Sequence, residues 1–334
     1  MLTCSCKKSN DNNDPPPNGT VWNVFNIPIK ANLNSVFMIN SSLGWIAGDS
    51  GIILKYNGTS WIKMSTNTDQ NLMAVYFVDN LHGWAVGNSG TIIATSDGLN
   101  WAKQQSGVKK NLKDIYMNNL TTGWAVGDDS TLLKTTDGLN WVKKTNFFYP
   151  SHNCDETFNS VMFKDLNNGI LTTNGGCNSS GFIFLTNDGG STWTLQSTPG
   201  NNYDMWSGYI VNNNDIWVGT YAKGSSGLLH FNGLTWSFND VVPDLGSANI
   251  YDFYFFNSNN GWFVTKYDGQ IYNYNGTNWI QSYTIGKTLY SISFSDTSNG
   301  WAVGGNGIIL KYQSPANAIN YSIKPSKSIS YEKK

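Results

Sequence analysis

The sequence predicts an all-β fold, a seven-bladed β-propeller of four-stranded blades whose ring is closed by the N-terminal strand pairing with the last blade. Two tryptophan series predict it, because each recurs about every 40 residues along almost the whole chain. The first series follows glycine in most units, with Ile170 and Trp217 completing it: Trp45, Trp84, Trp124, Ile170, Trp217, Trp262 and Trp301. The second follows a turn: Trp22, Trp61, Trp101, Trp141, Trp193, Trp236 and Trp279. Both series indicate seven copies of one unit.

The unit formed by residues 72–105 shows the elements of a blade. Residues 72–78 are mostly apolar, which indicates a strand buried between layers. Gly83–Gly87, then residues 91–95 and 101–104, follow as short strands separated by glycine, asparagine and aspartate turns. No segment has the length or period of a helix. A unit of four short strands cannot bury both faces alone, so neighbouring units must pack face to face in a ring.

The order of the two series predicts how the ring closes. Trp22, a member of the second series, precedes the first complete unit, and the last unit ends near Tyr312 without a fourth strand. Residues 21–25 are therefore expected to supply that strand and to remove an exposed sheet edge.

The turns before the second-series tryptophans have their own chemistry. Residues 186–193 fit the Asp-box pattern (Ser/Thr)-x-Asp-x-Gly-x-x-Trp in full, and the turns that contain Asp97 and Asp137 are one residue shorter. An aspartate can accept hydrogen bonds from the backbone of its own turn, and glycine adopts a positive φ without strain. We expect Asp97, Asp137 and Asp188 to be structural rather than catalytic.

The Gly-Trp-Ala-Val-Gly steps at residues 83–87 and 123–127, together with these turns, resemble the photosystem II stability and assembly factor-like propellers and, more loosely, the wider Asp-box (BNR) repeat proteins. The resemblance covers about residues 20–313 and implies the propeller fold. It also implies that relatives in photosynthetic cells act as assembly chaperones. This chain contains no Arg for a basic docking face, so the photosystem role itself is not expected here.

Composition limits the possible partners. The formal net charge is −1, only 13% of residues are charged, and all 21 basic residues are lysine. Neither nucleic acid nor an anionic membrane surface is expected as a partner. The lack of Arg also argues against a sialidase-type site, because Arg is the side chain that binds carboxylates in a bidentate manner. No segment approaches the roughly 20 apolar residues of a transmembrane helix.

The first residues resemble a bacterial lipoprotein just after its lipid-accepting cysteine. Cys6, or alternatively Cys4, is the candidate for lipidation, and residues 1–19 with their Pro15-Pro16-Pro17 segment would form a disordered tether. No apolar signal-peptide core precedes Cys6, so a start that is truncated, or a tail with two incidental cysteines, stays open. The predicted organisation is a tether over 1–19, a propeller over 20–313 and a polar tail over 314–334. A monomer at the bacterial envelope, or a secreted protein, is expected.

The loops of units four to six are longer than those of units one to three, and all of the insertions are predicted on one face of the ring. Loops on a rigid scaffold are where binding usually occurs. Divergence of surface loops without function stays open as the alternative. The candidate binding residues on this face are Phe148, Tyr149, His152, Asp155, Glu156, Tyr203, Asp204, Trp206, Tyr221, Lys223, Tyr251 and Asp252.

Cys154 and Cys177 lie in two loops of unit four on the same predicted face, so a disulfide between them is expected in an exported protein. Asp114 and Asp252 fall on inner strands, where we expect solvated channel carboxylates rather than ligands of a cation. The three histidines lie in different units without metal-ligand spacing, and no cofactor or metal is expected.

These observations favour a non-enzymatic binding or assembly propeller that holds a protein or glycan partner at the insertion-bearing face. The alternative is an Asp-box-type glycoside hydrolase with a carboxylate-based site on the same face. The two differ in whether two carboxylates converge in one concave site.

Overall fold

The computed structural model describes residues 21–144, 156–175, 180–199, 203–222, 225–239 and 249–314. These residues form seven four-stranded antiparallel sheets, as predicted. Apart from two three-residue 3₁₀ turns at Asn88–Gly90 and Gly305–Gly307, the described residues contain no helix. The strands of each sheet follow chain order, except in the last blade.

Each blade is named here by its position along the chain. Blades 1 to 3 consist of β2 (Leu33–Asn40), β3 (Leu43–Gly48), β4 (Ile53–Tyr56) and β5 (Trp61–Met64); β6 (Leu72–Phe77), β7 (Gly83–Gly87), β8 (Ile92–Thr95) and β9 (Ala102–Gln104); and β10 (Leu112–Met117), β11 (Gly123–Gly127), β12 (Thr131–Thr135) and β13 (Val142–Lys143).

Blades 4 to 6 consist of β14 (Phe158–Phe163), β15 (Gly169–Thr173), β16 (Ile183–Thr186) and β17 (Thr194–Leu195); β18 (Asp204–Asn212), β19 (Asp215–Ala222), β20 (Ser225–Phe231) and β21 (Trp236–Asn239); and β22 (Ile250–Asn257), β23 (Asn260–Thr265), β24 (Gln270–Tyr274) and β25 (Trp279–Thr284). Blade 7 consists of β26 (Leu289–Asp296), β27 (Asn299–Gly304), β28 (Ile309–Gln313) and β1 (Val21–Val24).

Blade 7 closes the ring in the predicted way. Strand β1 pairs antiparallel with β28, so that Trp22 lies opposite Tyr312 and Val24 opposite Leu310. The Trp22 side chain is 3% exposed and packs against the rings of Trp262 and Tyr312. The first and last strands of the chain thus share one sheet, and no blade lacks its fourth strand.

The first-series tryptophans fill the interfaces between blades. The Trp45 ring of blade 1 stacks on Phe77 of blade 2 at 3.6 Å between centroids, and its indole N–H donates to the carbonyl of Gly98. Glycine precedes the tryptophan because the inner strand approaches closely at that point. A Cβ at Gly83 would overlap the ring of Phe77, so no larger residue fits there.

The turns between the third and fourth strands carry the hydrogen bonds expected of them. The Asp97 carboxylate accepts from the backbone N–H groups of Leu99 and Asn100, each at 2.8 Å. Gly98, which lies between Asp97 and Leu99, has a φ of +67°. In blade 4 the Asp188 carboxylate accepts from the N–H and the hydroxyl of Thr192, and these bonds lower the pKa of Asp188 to about 2. The aspartates therefore serve their own turns.

Candidate functional site

The predicted binding face carries the loops that lead from each fourth strand to the next blade and from each second strand to the third. Of the predicted residues, Glu156, Tyr203, Asp204, Trp206, Tyr221, Tyr251 and Asp252 lie within the described ranges. The others lie outside them, as do the predicted disulfide and lipidation cysteines: Phe148, Tyr149, His152, Asp155, Lys223, Cys154, Cys177 and Cys6.

Trp206 and Tyr251 meet at the mouth of the ring. They occupy equivalent positions near the starts of the inner strands β18 and β22, and their rings stack with centroids 5.3 Å apart and planes inclined by 19°. Tyr290, on β26 of the following blade, lies next to Tyr251, with the two ring centroids 5.6 Å apart. Sequence reasoning selected the first two residues and missed Tyr290. The signal was present, because Tyr290 precedes Ser291 just as Tyr251 precedes Asp252.

The mouth of the ring has two unlike halves. At the position of Trp206, the inner strands of the other described blades carry Asn34, Met73, Lys113, Asn159, Tyr251 and Tyr290. Blades 5 to 7 are therefore aromatic at this level, whereas blades 1, 3 and 4 are polar. Asn34 and Asn159 donate to the backbone carbonyls of Leu72 and Met205 in the next blades. These hydrogen bonds link neighbouring blades in the polar half, and the described residues show no corresponding bonds in the aromatic half.

Lys266 adds a positive charge to the aromatic half. It lies just after β23, and its Nζ is 5.6 Å from the Trp206 ring centroid and 5.3 Å from that of Tyr251. Such distances suit a cation–π interaction. Burial alone would lower the pKa of Lys266, but the hydrogen bond to Tyr251 and the nearby tyrosine hydroxyls outweigh it and raise the pKa. Lys266 is therefore charged at neutral pH, and sequence reasoning missed it.

Tyr267 has an unusual backbone next to this lysine. Its φ is +60°, a left-handed conformation that small polar residues adopt in the corresponding loops: Ser50, Ser89, Asp129 and Asn306. A bulky side chain in this region is an outlier and costs about 1–3 kcal/mol. The Tyr267 side chain is 55% exposed, and its ring centroid lies 5.3 Å from the Lys266 Nζ. Blade 6 thus places an exposed tyrosine where blades 1, 2, 3 and 7 have a small residue.

The indole N–H of Trp206 is buried and has no hydrogen-bond partner among the described residues, as is also true of Trp22 and Trp61. A buried donor without an acceptor costs about 1–3 kcal/mol. We call Trp206, Tyr251, Lys266, Tyr267 and Tyr290 the aromatic rim.

The predicted carboxylates do not join the aromatic rim. The Asp204 side chain accepts a hydrogen bond from the N–H of Gly175 in blade 4, at 2.8 Å. Glu156 is fully buried, neither of its carboxylate oxygens has a hydrogen-bond partner within the described ranges, and burial raises its pKa to about 7. Tyr203 packs on Phe238, with ring centroids 5.1 Å apart, and Tyr221 pairs with Asp204 across β18 and β19.

Asp252 and Asp114, which were expected to be channel carboxylates, are half-buried and link neighbouring blades across the channel wall. Asp252 accepts from the Ser291 hydroxyl at 2.8 Å and from the Ile292 N–H at 2.9 Å. Asp114 accepts in the same way from the Val161 N–H at 2.9 Å. Burial disfavours the charged forms and raises the pKa of Asp252 to about 7 and that of Asp114 to about 6.

Neither a metal site nor a membrane span appears in the part of the chain that the structure describes. No three histidine, cysteine, aspartate or glutamate side chains gather there in a way that could hold a metal ion. Likewise, none of the described segments is a helix long and apolar enough to cross a bilayer.

The sequence is similar to photosystem II assembly factors over part of its length. Residues 99–200 match the family described as photosynthesis system II assembly factor YCF48. The chloroplastic photosystem II stability/assembly factor HCF136 of Guillardia theta is 29% identical over 147 residues. That match covers 40% of this chain and 37% of the relative, so the chain matches well under half of that protein's length.

The fold is similar to solved propellers over almost the whole chain. YCF48 from Cyanidioschyzon merolae, at 19% identity, has a TM-score of 0.68 over 89% of this chain and 99% of its own. YCF48 bound to D1 peptide gives 0.68 at 16% identity, over 90% and 99%. The GH74 xyloglucanase from Xanthomonas campestris also gives 0.68, at 11% identity, over 87% of this chain and 53% of the enzyme. At these identities the likeness is one of fold.

Proposed function

We propose that this photosystem II assembly factor-like propeller is a non-enzymatic binding protein of the bacterial cell envelope, and that it holds a protein partner at the aromatic rim. The observation that carries the proposal is the group formed by the stacked Trp206 and Tyr251 rings with Lys266 across them. Tryptophan and tyrosine are common among the side chains that contribute most to protein interfaces.

The asymmetry of the ring supports this location. All seven blades need buried aromatic or aliphatic side chains at their interfaces in order to pack, but the aromatic rim occurs only on blades 5 to 7. One of its members also has a feature that lowers stability, the left-handed backbone of Tyr267. Strained backbone conformations lower the stability of the fold, and they cluster at binding sites, where they are part of how the ligand is held.

A protein partner is favoured over a glycan by the chemistry of the rim and by the relatives. A carbonyl oxygen of a bound backbone would satisfy the Trp206 N–H, and an acidic or aromatic side chain would suit Lys266 and its neighbouring rings. The similar propeller that holds a D1 peptide is a precedent for peptide binding on this fold. Aromatic rings also stack on sugars, so a glycan is the alternative outcome of the test.

The glycoside hydrolase alternative has less support. Retaining and inverting glycosidases need two carboxyl groups that face one substrate. Among the described residues, Asp204 and Asp252 are bonded to backbone groups, and Glu156 is buried away from solvent. The xyloglucanase likeness is one of fold at 11% identity and brings no catalytic pair with it.

The envelope location is proposed from the N-terminal sequence. Residues 1–19 would act as a tether from a lipidated Cys6, so that the ring is presented near the membrane without crossing it. A flexible tether leaves the ring free to meet partners over tens of ångströms.

The test compares partner capture by the full chain and by two rim variants, Trp206→Ala and Lys266→Ala. Leu139→Ala is the control, because Leu139 is 65% exposed in a turn between third and fourth strands, on the opposite face. Proteins and glycans captured from envelope extracts by the parent chain are identified, and their affinities for each variant are measured beside the melting temperatures.

We expect each rim variant to bind its partner at least about 30-fold more weakly, as for a residue contributing roughly 2 kcal/mol, while the control binds normally. Rim variants that melt at the parent temperature and retain full affinity would overturn the proposal. A glycan, rather than a protein, lost from the rim variants would replace the proposed partner class.

A further inference from the structure

The interface between blades 4 and 5 differs from the other six. Elsewhere the first-series tryptophan of one blade packs on a Phe or Met of the next blade's inner strand, as Trp45 does on Phe77, Trp124 on Phe163 and Trp262 on Phe294. Between blades 4 and 5 the two positions hold Ile170 and Ile210. Both members of the pair are smaller there, so the interface has lost an indole ring and the large side chain beneath it.

A groove of about 290 Å³ opens at this interface. Its floor is apolar and includes Leu185, Ile210 and Ile216, and its rim is polar, with Asn187, Asn213 and Gln196. In blade 1 the counterpart of Leu185 is Lys55, whose Nζ lies 5.4 Å from the Trp45 ring. The counterpart of Ile210 in blade 2 is Phe77, which stacks on that same ring. The groove therefore lies where the other interfaces hold an indole.

Ile170 does not fill the space. Its Cδ1 is directed toward Gly208 of the inner strand, within 3.0 Å of where a Cβ on that glycine would stand. Leu185 on the floor remains half-buried rather than buried. Apolar atoms that line an unfilled groove lack dispersion partners on one side, and a ring inserted there restores them.

We propose that this groove is a binding site for a small molecule that carries an indole-sized aromatic group. The size is sufficient, since an apolar cavity of about 150 Å³ already binds benzene. The combination of apolar floor and amide rim is that of a ligand site, because the amide oxygens can accept from an indole N–H. The site lies on the face opposite the aromatic rim and is independent of it.

The test measures binding of free indole and of the tripeptide N-acetyl-Gly-Trp-Gly-amide by NMR chemical-shift titration of the full chain. N-acetyl-Gly-Ala-Gly-amide is the control ligand. Saturable shifts are expected for residues around Leu185 and Ile210, with a Kd of about 1 mM or tighter for so small a ligand. Tighter binding of indole than of the peptide would support a small-molecule ligand. Tighter binding of the peptide would overturn that assignment in favour of a tryptophan side chain of a polypeptide.

Three variants decide whether the groove itself binds. Ile170→Trp restores the indole that the other blades have and should abolish binding while maintaining or raising the melting temperature. Thr194 is exposed at the edge of the groove, so an Arg there should block entry of the ligand. Thr194→Arg therefore tests the site even if Ile170→Trp does not fold. Leu195→Ala changes the next residue of β17, which faces the other side of the strand, and should leave binding unchanged. Absence of saturable shifts in the parent, or equal binding by Thr194→Arg and the parent, would overturn the proposal.

Discussion

Ring closure by β1 gives a sharp quantitative test, the substitution Trp22→Ala. Trp22 belongs to a strand of four residues at the very start of the ring, and yet its side chain is 3% exposed. The ring contacts Trp262, Phe294 and Tyr312 with centroid distances of 5.9, 5.9 and 5.3 Å. The substitution therefore empties a site surrounded by three aromatic rings from the last two blades.

The expected loss follows from the burial of this side chain. Truncation of a buried Trp to Ala costs about 3–5 kcal/mol of unfolding free energy, because contacts are lost and a cavity remains. Three rigid aromatic neighbours cannot collapse into that space, so a value of about 4 kcal/mol is expected. For a domain of this size each 1 kcal/mol lowers the melting temperature by about 2 °C, which gives a decrease of about 8 °C.

The assay is thermal unfolding followed by circular dichroism, with Val24→Ala as the matched control. Val24 lies on the same strand, opposite Leu310, but is 43% exposed, so its truncation should cost about 1 kcal/mol or less. Two deletions extend the comparison: removal of residues 1–26 should lower the melting temperature sharply, and removal of 1–18 should change it little. Equal melting of the two point variants, or of the two deletions, would refute closure of the ring by β1.

Three further outcomes are expected. Burial raises the pKa of Asp252 to about 7, above its unfolded value of about 3.9, so the folded state binds more protons between these values and stability falls as the pH rises from 4 to 7. Asp252→Asn should remove part of this fall, and parallel pH profiles of melting temperature for variant and parent would argue against it. Cys154 and Cys177 should resist alkylation in the native protein without reductant, as measured by intact mass; labelling of both thiols would exclude the disulfide. Asp188→Ala should lower the melting temperature without changing partner affinity, because Asp188 bonds only its own turn, and a selective loss of binding would contradict that role.

The sequence alone determined the architecture because the signals for it are local and repeated. A strand that alternates buried and half-buried positions, a turn held by an aspartate or asparagine, and a tryptophan at fixed spacing each depend on a few neighbouring residues. Seven repetitions make the pattern unambiguous. Trp22 predicted the closure for the same reason, since its position in the repeat is that of a fourth strand.

The composition of the site could be predicted only in part. Trp206 and Tyr251 stood out because they occupy inner-strand starts in units with long loops, and the structure brings their rings together. Tyr290 was missed, although it precedes Ser291 just as Tyr251 precedes Asp252. Lys266 could not be found from the sequence, because whether a loop lysine reaches rings on two other strands depends on how blades 5 and 6 are inclined to each other.

The remaining features were decided by contacts between blades, which no single repeat encodes. Asp252 was expected in the channel, but only the neighbouring blade supplies the Ser291 hydroxyl and the Ile292 N–H that it binds. The groove requires that Ile170 and Ile210 are both smaller than the Trp and the Phe or Met of the other interfaces. These two residues lie on different blades and meet only in the closed ring. The sequence specified the unit and its number because hydrophobic spacing and turn chemistry act over a few residues. The tertiary structure decided which side chains from separate units meet, because that depends on the packing of one blade against the next.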